Sequence, residues 1–235
     1  MKYSEIYKEW RDNPIEFWKK NAEDVSWIKF PEKILKKKSD YFYEWFSDGI
    51  LNTCYNAVDK NILEGRGDQV AIYYDSPITN SKSKLTYNEL KFKVEEFAGA
   101  LNKYNISKGD RVIVYMPMIP EAIIAVLAIA RIGAVHSVVF GGFAAKELAV
   151  RIDDCSPKII ISASCGIEPG RIVEYKPLLD EAIKLSNHKV KNCIIFQREQ
   201  LSVKLNSGLD ISWDEAIKHV KPADPVPVNG NDPLY

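Results

Sequence analysis

From about residue 50 onward, short apolar runs alternate with longer segments in which apolar residues recur at helical spacing. The runs Val112 to Val114 and Ile159 to Ile161 contain consecutive β-branched residues with no polar alternation. Such runs are typical of strands covered on both faces. Strands that alternate with helices predict βαβ crossovers, so we expect an α/β fold with a largely parallel sheet.

The same pattern gives the bounds of the predicted elements. Thr86 and Glu89 stand at capping-box spacing, where each side chain can satisfy a free N–H of the first helical turn. Pro120 and Gly133 bracket a helix that is apolar nearly all round and is expected to be buried. The predicted strands are 69–75, 109–117, 134–140, 157–164 and 191–196; the predicted helices are 50–65, 85–104, 120–133, 145–155 and 173–186, with a short one opened by Ser212 and Glu215.

Residues 1–48 differ from the rest and predict an aromatic helical N-terminal arm before the α/β region of residues 49–235. The arm consists of short amphipathic pieces broken at Pro14. Its aromatic residues are expected to form the packing faces of these helices, and the arm itself to lie over something larger. The segment 31–40 is basic and is expected to be a solvated connector.

Composition excludes several classes of function. Lys plus Arg and Asp plus Glu are equal at 32 each, so no long-range field favours nucleic acid. The longest apolar stretch, Ile119 to Ile132, contains charged residues and is too short to span a bilayer, and no signal region is visible. We expect a cytoplasmic or organelle-matrix protein. Scattered cysteines without a C-x-x-C pair indicate reduced thiols, at positions Cys54, Cys155, Cys165 and Cys193.

The first candidate site is a glycine loop made of Phe140, Gly141 and Gly142. It follows a predicted strand and precedes a predicted helix, so free N–H groups and a helix N-terminus would face one crevice. This suits a phosphate or the flat face of a nucleobase, with Phe140 as a stacking ring. A tight strand-to-helix turn also requires glycine whatever it binds, and this alternative stays open.

A second loop follows the strand 157–164 and ends in Glu168, Pro169, Gly170 and Arg171. The Pro-Gly step favours a turn that presents Arg171 near the mouth of the neighbouring strand. The guanidinium of Arg171 has five donors suited to a phosphate. Glu168 would repel that phosphate unless it points away or pairs with Arg171. A plain turn with a surface arginine is the alternative.

The two loops leave carboxyl ends of strands in the same predicted sheet, which is where α/β sheets bind ligands. Other candidates are weaker. His136 is flanked by valines and is expected to be a core or edge histidine, while Asp153 and Asp154 are expected to be solvated rather than metal ligands. No nucleophile has an identifiable base, so no catalytic or metal-binding residue is assigned. No G-x-x-x-x-G-K-[ST] loop is present.

The residues from Arg111 to Ala163, followed by "GIEPGR" and "VEYKPLLDEAI", resemble the N-terminal part of the short-chain acyl-CoA synthetases. These are the acetyl- and propionyl-CoA synthetases of the adenylate-forming, AMP-binding superfamily. The resemblance extends over nearly the whole chain, with residues 1–48 matching the family's N-terminal arm. The "GIEPGR" and "FGGFAAKEL" forms resemble the propionate branch more than the acetate branch.

This resemblance implies an acid–thiol ligase that converts a short-chain carboxylate and ATP, with Mg²⁺, to an acyl-adenylate and pyrophosphate. The acyl group then passes to coenzyme A. By the same resemblance, Phe140, Gly141, Gly142, Glu168, Pro169, Gly170 and Arg171 lie beside the adenine and 3′-phosphate of coenzyme A. Arg171 would clamp the phosphate. The acetate enzymes often carry an additional arginine where this sequence has Glu168.

The resemblance further implies that the ATP phosphate loop, the acyl pocket and the adenylation lysine lie beyond residue 235, in the rest of the same polypeptide. "DPLY" matches the run-in to that phosphate loop. A free-standing module that binds coenzyme A or another nucleotide is the alternative. A nicotinamide-dependent oxidoreductase is disfavoured because no G-x-G-x-x-G follows a strand.

We predict that the 235-residue chain by itself does not form an adenylate, because the residues that the resemblance assigns to ATP are not among it. A pyrophosphate-release assay with ATP, Mg²⁺ and propionate should give no turnover above a blank without protein. Turnover that grows in proportion to the concentration of the chain would contradict the prediction.

Overall fold

The computed structural model describes residues 2–235 and begins with two helices, α1 (Tyr3–Asp12) and α2 (Pro14–Ala22). The predicted break is confirmed: Pro14 opens α2, and the Asn13 side chain accepts a hydrogen bond from the Glu16 amide. The predicted packing of the aromatic face is wrong for α1, which buries none of its residues. Its aromatic side chains stack on one another along an exposed face instead, in the pairs Tyr3–Tyr7 and Tyr7–Trp10.

The segment 31–40 contains a strand and is not simply a solvated connector. β1 (Leu35–Lys37) pairs antiparallel with β2 (Tyr43–Trp45), while Ile34 is buried. The ring of Trp45 lies edge-on to Trp18 of α2 at 5.4 Å. Apolar contacts on one side and exposed lysines on the other therefore make a hairpin from a sequence that charge alone assigned to solvent.

The helix predicted over 50–65 begins later than expected. Its first two residues form β3 (Ile50–Leu51), and the helical part contains two π-helical segments, Tyr55–Asp59 and Ile62–Arg66. Gly65 has φ +82°, which agrees with the predicted stop at this residue. The predicted strand 69–75 is confirmed as β4 (Val70–Ser76), and it pairs antiparallel with β5 (Ser81–Thr86).

Five parallel strands form the central sheet, as the apolar runs predicted. In sequence order they are β6 (Arg111–Met116), β7 (Val135–Phe140), β8 (Ile159–Ala163), β11 (Asn192–Phe196) and β12 (Asp210–Ser212), and their spatial order is β12-β11-β8-β6-β7. A hairpin of β9 (Cys165–Glu168) and β10 (Arg171–Glu174) leaves the end of β8. The short strand β12 was not predicted.

Helices cover the sheet on both faces. Val112 and Val114 of β6 pack in one core with helices α3 (Tyr87–Lys103), α4 (Pro120–Arg131) and α7 (Trp213–Ile217). Ile113 and Tyr115 pack in a second core with α5 (Ala145–Cys155) and α6 (Tyr175–Leu185). Successive residues of one strand therefore enter opposite cores, which explains the unbroken apolar run.

The capping predictions are confirmed in the structure. Thr86 and Glu89 form a reciprocal capping box at the start of α3, with the Glu89 amide 3.2 Å from the Thr86 hydroxyl. The Ser212 hydroxyl accepts from the Glu215 amide at 3.2 Å and opens α7. Both local signals depend only on residues three positions apart, so they are legible without the tertiary structure.

The last residues run beside the sheet. β13 (Val228–Asn229) pairs antiparallel with β3, and the His136 amide of β7 donates to the Leu234 carbonyl at 3.1 Å. Burial lowers the pKa of His136, whose ring stacks on Tyr235. His136 is thus a half-buried edge histidine, as the sequence predicted. Within residues 2–235, no helix combines the length and apolar character that a bilayer crossing requires.

A buried arginine joins three of these elements. Arg131, at the end of α4, is 1% exposed and donates to both carboxylate oxygens of Asp59 at 2.8 and 3.1 Å. It also donates to Glu95 of α3 at 2.7 Å and to the Ala223 carbonyl at 2.7 Å. Burial alone would lower the pKa of Arg131, but its bonds to Asp59 outweigh this effect and the pKa is raised. The cation is held charged inside the protein.

We predict that Arg131→Met lowers the free energy of unfolding by about 3–5 kcal/mol, because it leaves the buried carboxylate of Asp59 without its cation. The matched control is Arg151→Met on α5, which breaks the half-exposed pair with Glu147 and should cost at most about 1 kcal/mol. Urea unfolding followed by tryptophan fluorescence measures both. Equal losses in the two variants would mean that breaking the buried network costs no more than breaking an exposed pair, which would contradict the prediction.

Candidate functional site

The glycine loop follows β7 and is fixed by one hydrogen bond within the loop and one from Tyr115 of β6. The Phe143 amide bonds back to the Phe140 carbonyl at 3.3 Å, which closes a tight turn, and Gly142 within it has φ +92°. The Tyr115 hydroxyl donates to the Phe143 carbonyl at 3.0 Å and ties the loop to the end of β6. The ring of Phe140 stays 73% exposed. The loop therefore presents an aromatic face on a fixed backbone.

Gly141 is required for a packing reason that the sequence did not reveal. A Cβ at this position would lie 2.1 Å from the Tyr175 hydroxyl oxygen, and a Cβ at Gly166 would lie 2.5 Å from the same atom. Both backbones thus close on the Tyr175 side chain. Its ring also stacks on Tyr115, with the centroids 5.0 Å apart. Gly142 is required by the conformation of the turn, as the alternative interpretation of this loop stated. Gly141 is required because a side chain there would overlap Tyr175.

The second candidate loop is the turn of a β-hairpin rather than an irregular loop. β9 and β10 pair antiparallel, with Glu168 opposite Arg171. Pro169 and Gly170 form the turn between them, and Gly170 has φ +78°. Proline followed by a glycine at positive φ is typical of a type II turn. The predicted turn is confirmed, and the hairpin fixes its direction.

Glu168 pairs with Arg171, which was one of the two outcomes the sequence allowed. The Glu168 Oε2 accepts a hydrogen bond from Nε of Arg171 at 2.7 Å and forms an ion pair with Nη2, also at 2.7 Å. Both side chains are exposed, at 70% for Arg171 and 48% for Glu168. Water screens an exposed pair of this kind, so it is weakly held and its arginine can exchange partners.

The two candidate loops meet at one cavity of about 310 Å³. Phe140, Gly141 and Glu168 line it, whereas the other four predicted site residues do not: Gly142, Pro169, Gly170 and Arg171. Arg171 does not line the cavity, but it is bonded to Glu168, which does; this position is called the rim. The structure therefore brings the two loops together as predicted, with Arg171 at the rim.

One part of that prediction is wrong. The strands that carry the loops are not neighbours, because β6 lies between β7 and β8. Neighbouring strands are about 4.8 Å apart, so β7 and β8 are separated by roughly twice that distance. The end of β6 fills the gap, and Met116, Pro117 and Met118 line the cavity. The intervening strand thus opens a space that adjacent strands would have closed.

Four residues with polar groups line this cavity without having been predicted, namely Tyr74, Ser76, Tyr175 and Arg198, and the last two bear on its chemistry. Burial raises the pKa of the Tyr175 phenol to about 12, so it is a neutral hydroxyl at physiological pH. Arg198 is 8% exposed, and its Nη1 donates to the Cys165 carbonyl at 3.2 Å. Arg198 follows the predicted strand 191–196, and the rule that ligands bind at strand carboxyl ends was the signal available for it. No comparable sequence signal pointed to Tyr175.

The cavity has the chemistry of a binding site. Its lining is mostly apolar, with a stacking ring, a neutral hydroxyl and a cation at separate points, which suits a flat ring that carries anionic groups. Asp153, considered above as a metal ligand, accepts hydrogen bonds from Asn187 and His188. Within residues 2–235, no group of three or more His, Cys, Asp or Glu side chains is arranged to hold a metal ion.

Comparison with protein families identifies the class. The model of the "AMP-binding enzyme" family matches residues 60–235, and that of the "Acetyl-coenzyme A synthetase N-terminus" matches residues 3–57. The first match covers well over half of the chain. The chain therefore belongs to the AMP-binding enzyme family.

Individual relatives narrow this class. The chain is 50% identical to human "Acyl-CoA synthetase short-chain family member 3, mitochondrial" over 95% of its own length and 33% of the relative. It is 41% identical to the "Acetyl-coenzyme A synthetase" of Yersinia pseudotuberculosis over 100% of its length and 36% of that protein. The chain thus spans about a third of the length of these curated relatives. The resemblance to short-chain acyl-CoA synthetases, N-terminal portion, is confirmed.

A solved structure supports the fold. The "Acetoacetyl-CoA Synthetase from Streptomyces lividans" superposes with a TM-score of 0.85 at 23% identity, over 96% of this chain and 34% of that one. At this identity the likeness concerns the fold alone. It agrees with the predicted α/β architecture and its largely parallel sheet.

We predict that Gly141→Ala is destabilising through Tyr175. Its methyl group would overlap the phenol, and overpacking of this kind costs about 1–3 kcal/mol. In a Tyr175→Ala background the same substitution should cost much less, because the overlapping ring is gone. The free energy of unfolding of the four proteins gives the coupling.

Gly142→Ala is the matched control, since a Cβ there meets nothing within 4 Å but the backbone has φ +92°. Its cost should be about 1–2 kcal/mol and independent of Tyr175. Additive effects of Gly141→Ala and Tyr175→Ala would show that the contact does not explain Gly141.

Proposed function

We propose that this chain provides the coenzyme A nucleotide site of an ATP-dependent short-chain acyl-CoA synthetase. The observation that carries the proposal is the meeting of the glycine loop and the hairpin turn at one cavity with Arg171 at its rim. The family supplies the reaction class, a ligase of the acyl-CoA and acetyl-CoA synthetase type. No residue of this chain is assigned a catalytic role.

The adenine of coenzyme A would bind against Phe140, whose exposed ring offers a stacking surface at the end of β7. The apolar end of β6 supports the same position, because Met116 and Met118 line the cavity there. The Tyr175 hydroxyl faces this space without accepting or donating any hydrogen bond to the described residues 2–235. It is available to a polar edge of the base.

The 3′-phosphate would bind Arg171 at the rim. The Glu168 carboxylate accepts from the Arg171 guanidinium, and a dianionic phosphate would compete for the same donors. Binding therefore requires that the Glu168–Arg171 pair opens or is shared. The negative charge of Glu168 would weaken phosphate binding at this site. The acetate enzymes, by contrast, often have an additional arginine at this position.

The substrate and the setting follow from the same family. Propionate is proposed as the favoured carboxylate and acetate as the second, on the "GIEPGR" and "FGGFAAKEL" forms of the two loops. ATP and Mg²⁺ are the further cofactors, held by the rest of the polypeptide. We propose that residues 1–48 form the family's arm and 49–235 the first part of the AMP-binding domain, in the cytoplasm or an organelle matrix.

We predict that Arg171→Ala weakens coenzyme A binding to the chain by roughly 10- to 100-fold, because a hydrogen bond to a charged group contributes about 1.5–3 kcal/mol. Glu168→Gln should strengthen binding several-fold, since it removes the competing carboxylate. Isothermal titration calorimetry measures both affinities.

Coenzyme A that lacks its 3′-phosphate provides the internal control. Wild-type protein should bind it more weakly than coenzyme A, and Arg171→Ala should bind the two forms alike. Arg66→Ala, a substitution of an exposed arginine on the π-helical segment, controls for the loss of surface charge. Wild-type protein that does not bind coenzyme A would refute the proposed function.

A further inference from the structure

Arg198 is a buried cation with no carboxylate partner within residues 2–235. The residue is 8% exposed, and no carboxylate of residues 2–235 lies within 4.0 Å of its guanidinium. Its described side-chain bond is to the neutral Cys165 carbonyl at 3.2 Å. Burying a cation without a counter-ion costs several kcal/mol, so unpaired buried arginines are uncommon.

The two other deeply buried cations of the described chain show the usual solution. Arg131 is paired with Asp59 and Glu95, and Lys176 is paired with Asp180 and Asp210. Arg198 has the burial of these groups without their carboxylates. It differs in one further respect, because it lines two cavities at the carboxyl edge of the sheet.

The charges around these cavities determine from which side an anion can approach. The second cavity, of about 330 Å³, is lined by Glu121 and Glu199, neither of which forms a salt bridge within residues 2–235. The negative charges of these two carboxylates oppose the entry of an anion into this second cavity. In the cavity beside Phe140 the lining carboxylate is Glu168, already paired with Arg171. Arg198 is therefore the cation among the side chains that line the cavity proposed to hold the nucleotide.

The backbone holds Arg198 in place. Its amide donates to the Ser164 hydroxyl at 2.9 Å, and Nη1 reaches the Cys165 carbonyl where the β9–β10 hairpin leaves β8. A guanidinium has five N–H donors, and one of them is used by this side-chain bond. The others remain for a ligand, and their planar fork fits two oxygens of one phosphate.

We propose that Arg198 binds a phosphate group of the ligand from the interior of this cavity, as a second phosphate-binding residue distinct from Arg171 at the rim. The inference rests on the proposed function for its ligand, a nucleotide with phosphates on both sides of the ribose. The anion site itself does not depend on the proposed function, because inorganic pyrophosphate presents the same phosphate oxygens to Arg198. The geometry assigns the exposed cation to one phosphate and the buried cation to another.

The test compares wild-type protein with Arg198→Gln and Arg198→Lys, using adenosine, 3′-AMP, ADP and inorganic pyrophosphate in calorimetric titrations. Arg198→Gln should weaken binding of at least one of the three phosphorylated ligands by about 10- to 100-fold and leave adenosine affinity unchanged. Arg198→Lys should retain most of the phosphate affinity, because it keeps the positive charge. The remaining loss would reflect the planar set of donors that lysine lacks. Whether 3′-AMP or ADP responds identifies the phosphate.

Each outcome decides a different question. An equal loss for adenosine and its phosphates would make Arg198 purely structural, and unchanged affinity for all phosphorylated ligands would overturn the inference. If the nucleotides do not bind but pyrophosphate does so in an Arg198-dependent manner, the anion site stands and the coenzyme A site falls. If neither the nucleotides nor pyrophosphate bind, both the anion site and the coenzyme A site are refuted.

A measurement on wild-type protein covers the case in which Arg198→Gln does not fold. Phenylglyoxal modifies accessible arginines, and peptide mass spectrometry locates the adducts. Pyrophosphate or ADP should slow modification of Arg198 several-fold and leave Arg66 unaffected. Equal rates at Arg198 with and without these ligands would contradict the proposal.

Discussion

Burial of the three inner strands, β6, β8 and β11, on both faces is the constraint on which the structure depends. A parallel sheet of this kind must be covered by its own crossover helices, so every strand runs in the same direction and ends at the same edge. The polar backbone and the loops emerge there together. The glycine loop, the hairpin turn and Arg198 all follow strand ends at this edge, which is why residues far apart in sequence share one cavity.

The position of β6 between β7 and β8 gives this edge its shape. A strand inserted between the two loop-bearing strands separates the loops and supplies an apolar floor, and Tyr175 then braces both glycine backbones from the α6 side. The rim and the interior differ electrostatically. At the rim, Arg171 is exposed and paired, whereas inside the cavity Arg198 is buried and has no carboxylate partner within residues 2–235. A ligand with several anionic groups meets two cations of different character.

The Arg131 network joins elements that cover one face of the sheet. Arg131 joins α4 to the π-helical segment through Asp59, to α3 through Glu95 and to the chain near Ala223. These elements form the outer layer on one face of the sheet, and α4 begins where β6 ends. A buried ion network of this kind resists sliding of the layers, because any displacement leaves a charge unpaired. It holds the helix that borders the cavity.

The sequence by itself determined the α/β class, the parallel sheet, both capping motifs and the two loops, because these depend on residues close together in the chain: apolar runs, helical spacing, Thr86 with Glu89, Pro169 with Gly170. Only the tertiary structure decided the strand order, the β1–β2 hairpin, the contact of Gly141 with Tyr175 and the burial of Arg198 away from every carboxylate of residues 2–235. Each of these depends on which distant residues become neighbours. The spacing of residues along the chain does not predict which distant residues become neighbours. Packing between layers and the burial of a charge arise only when the elements assemble.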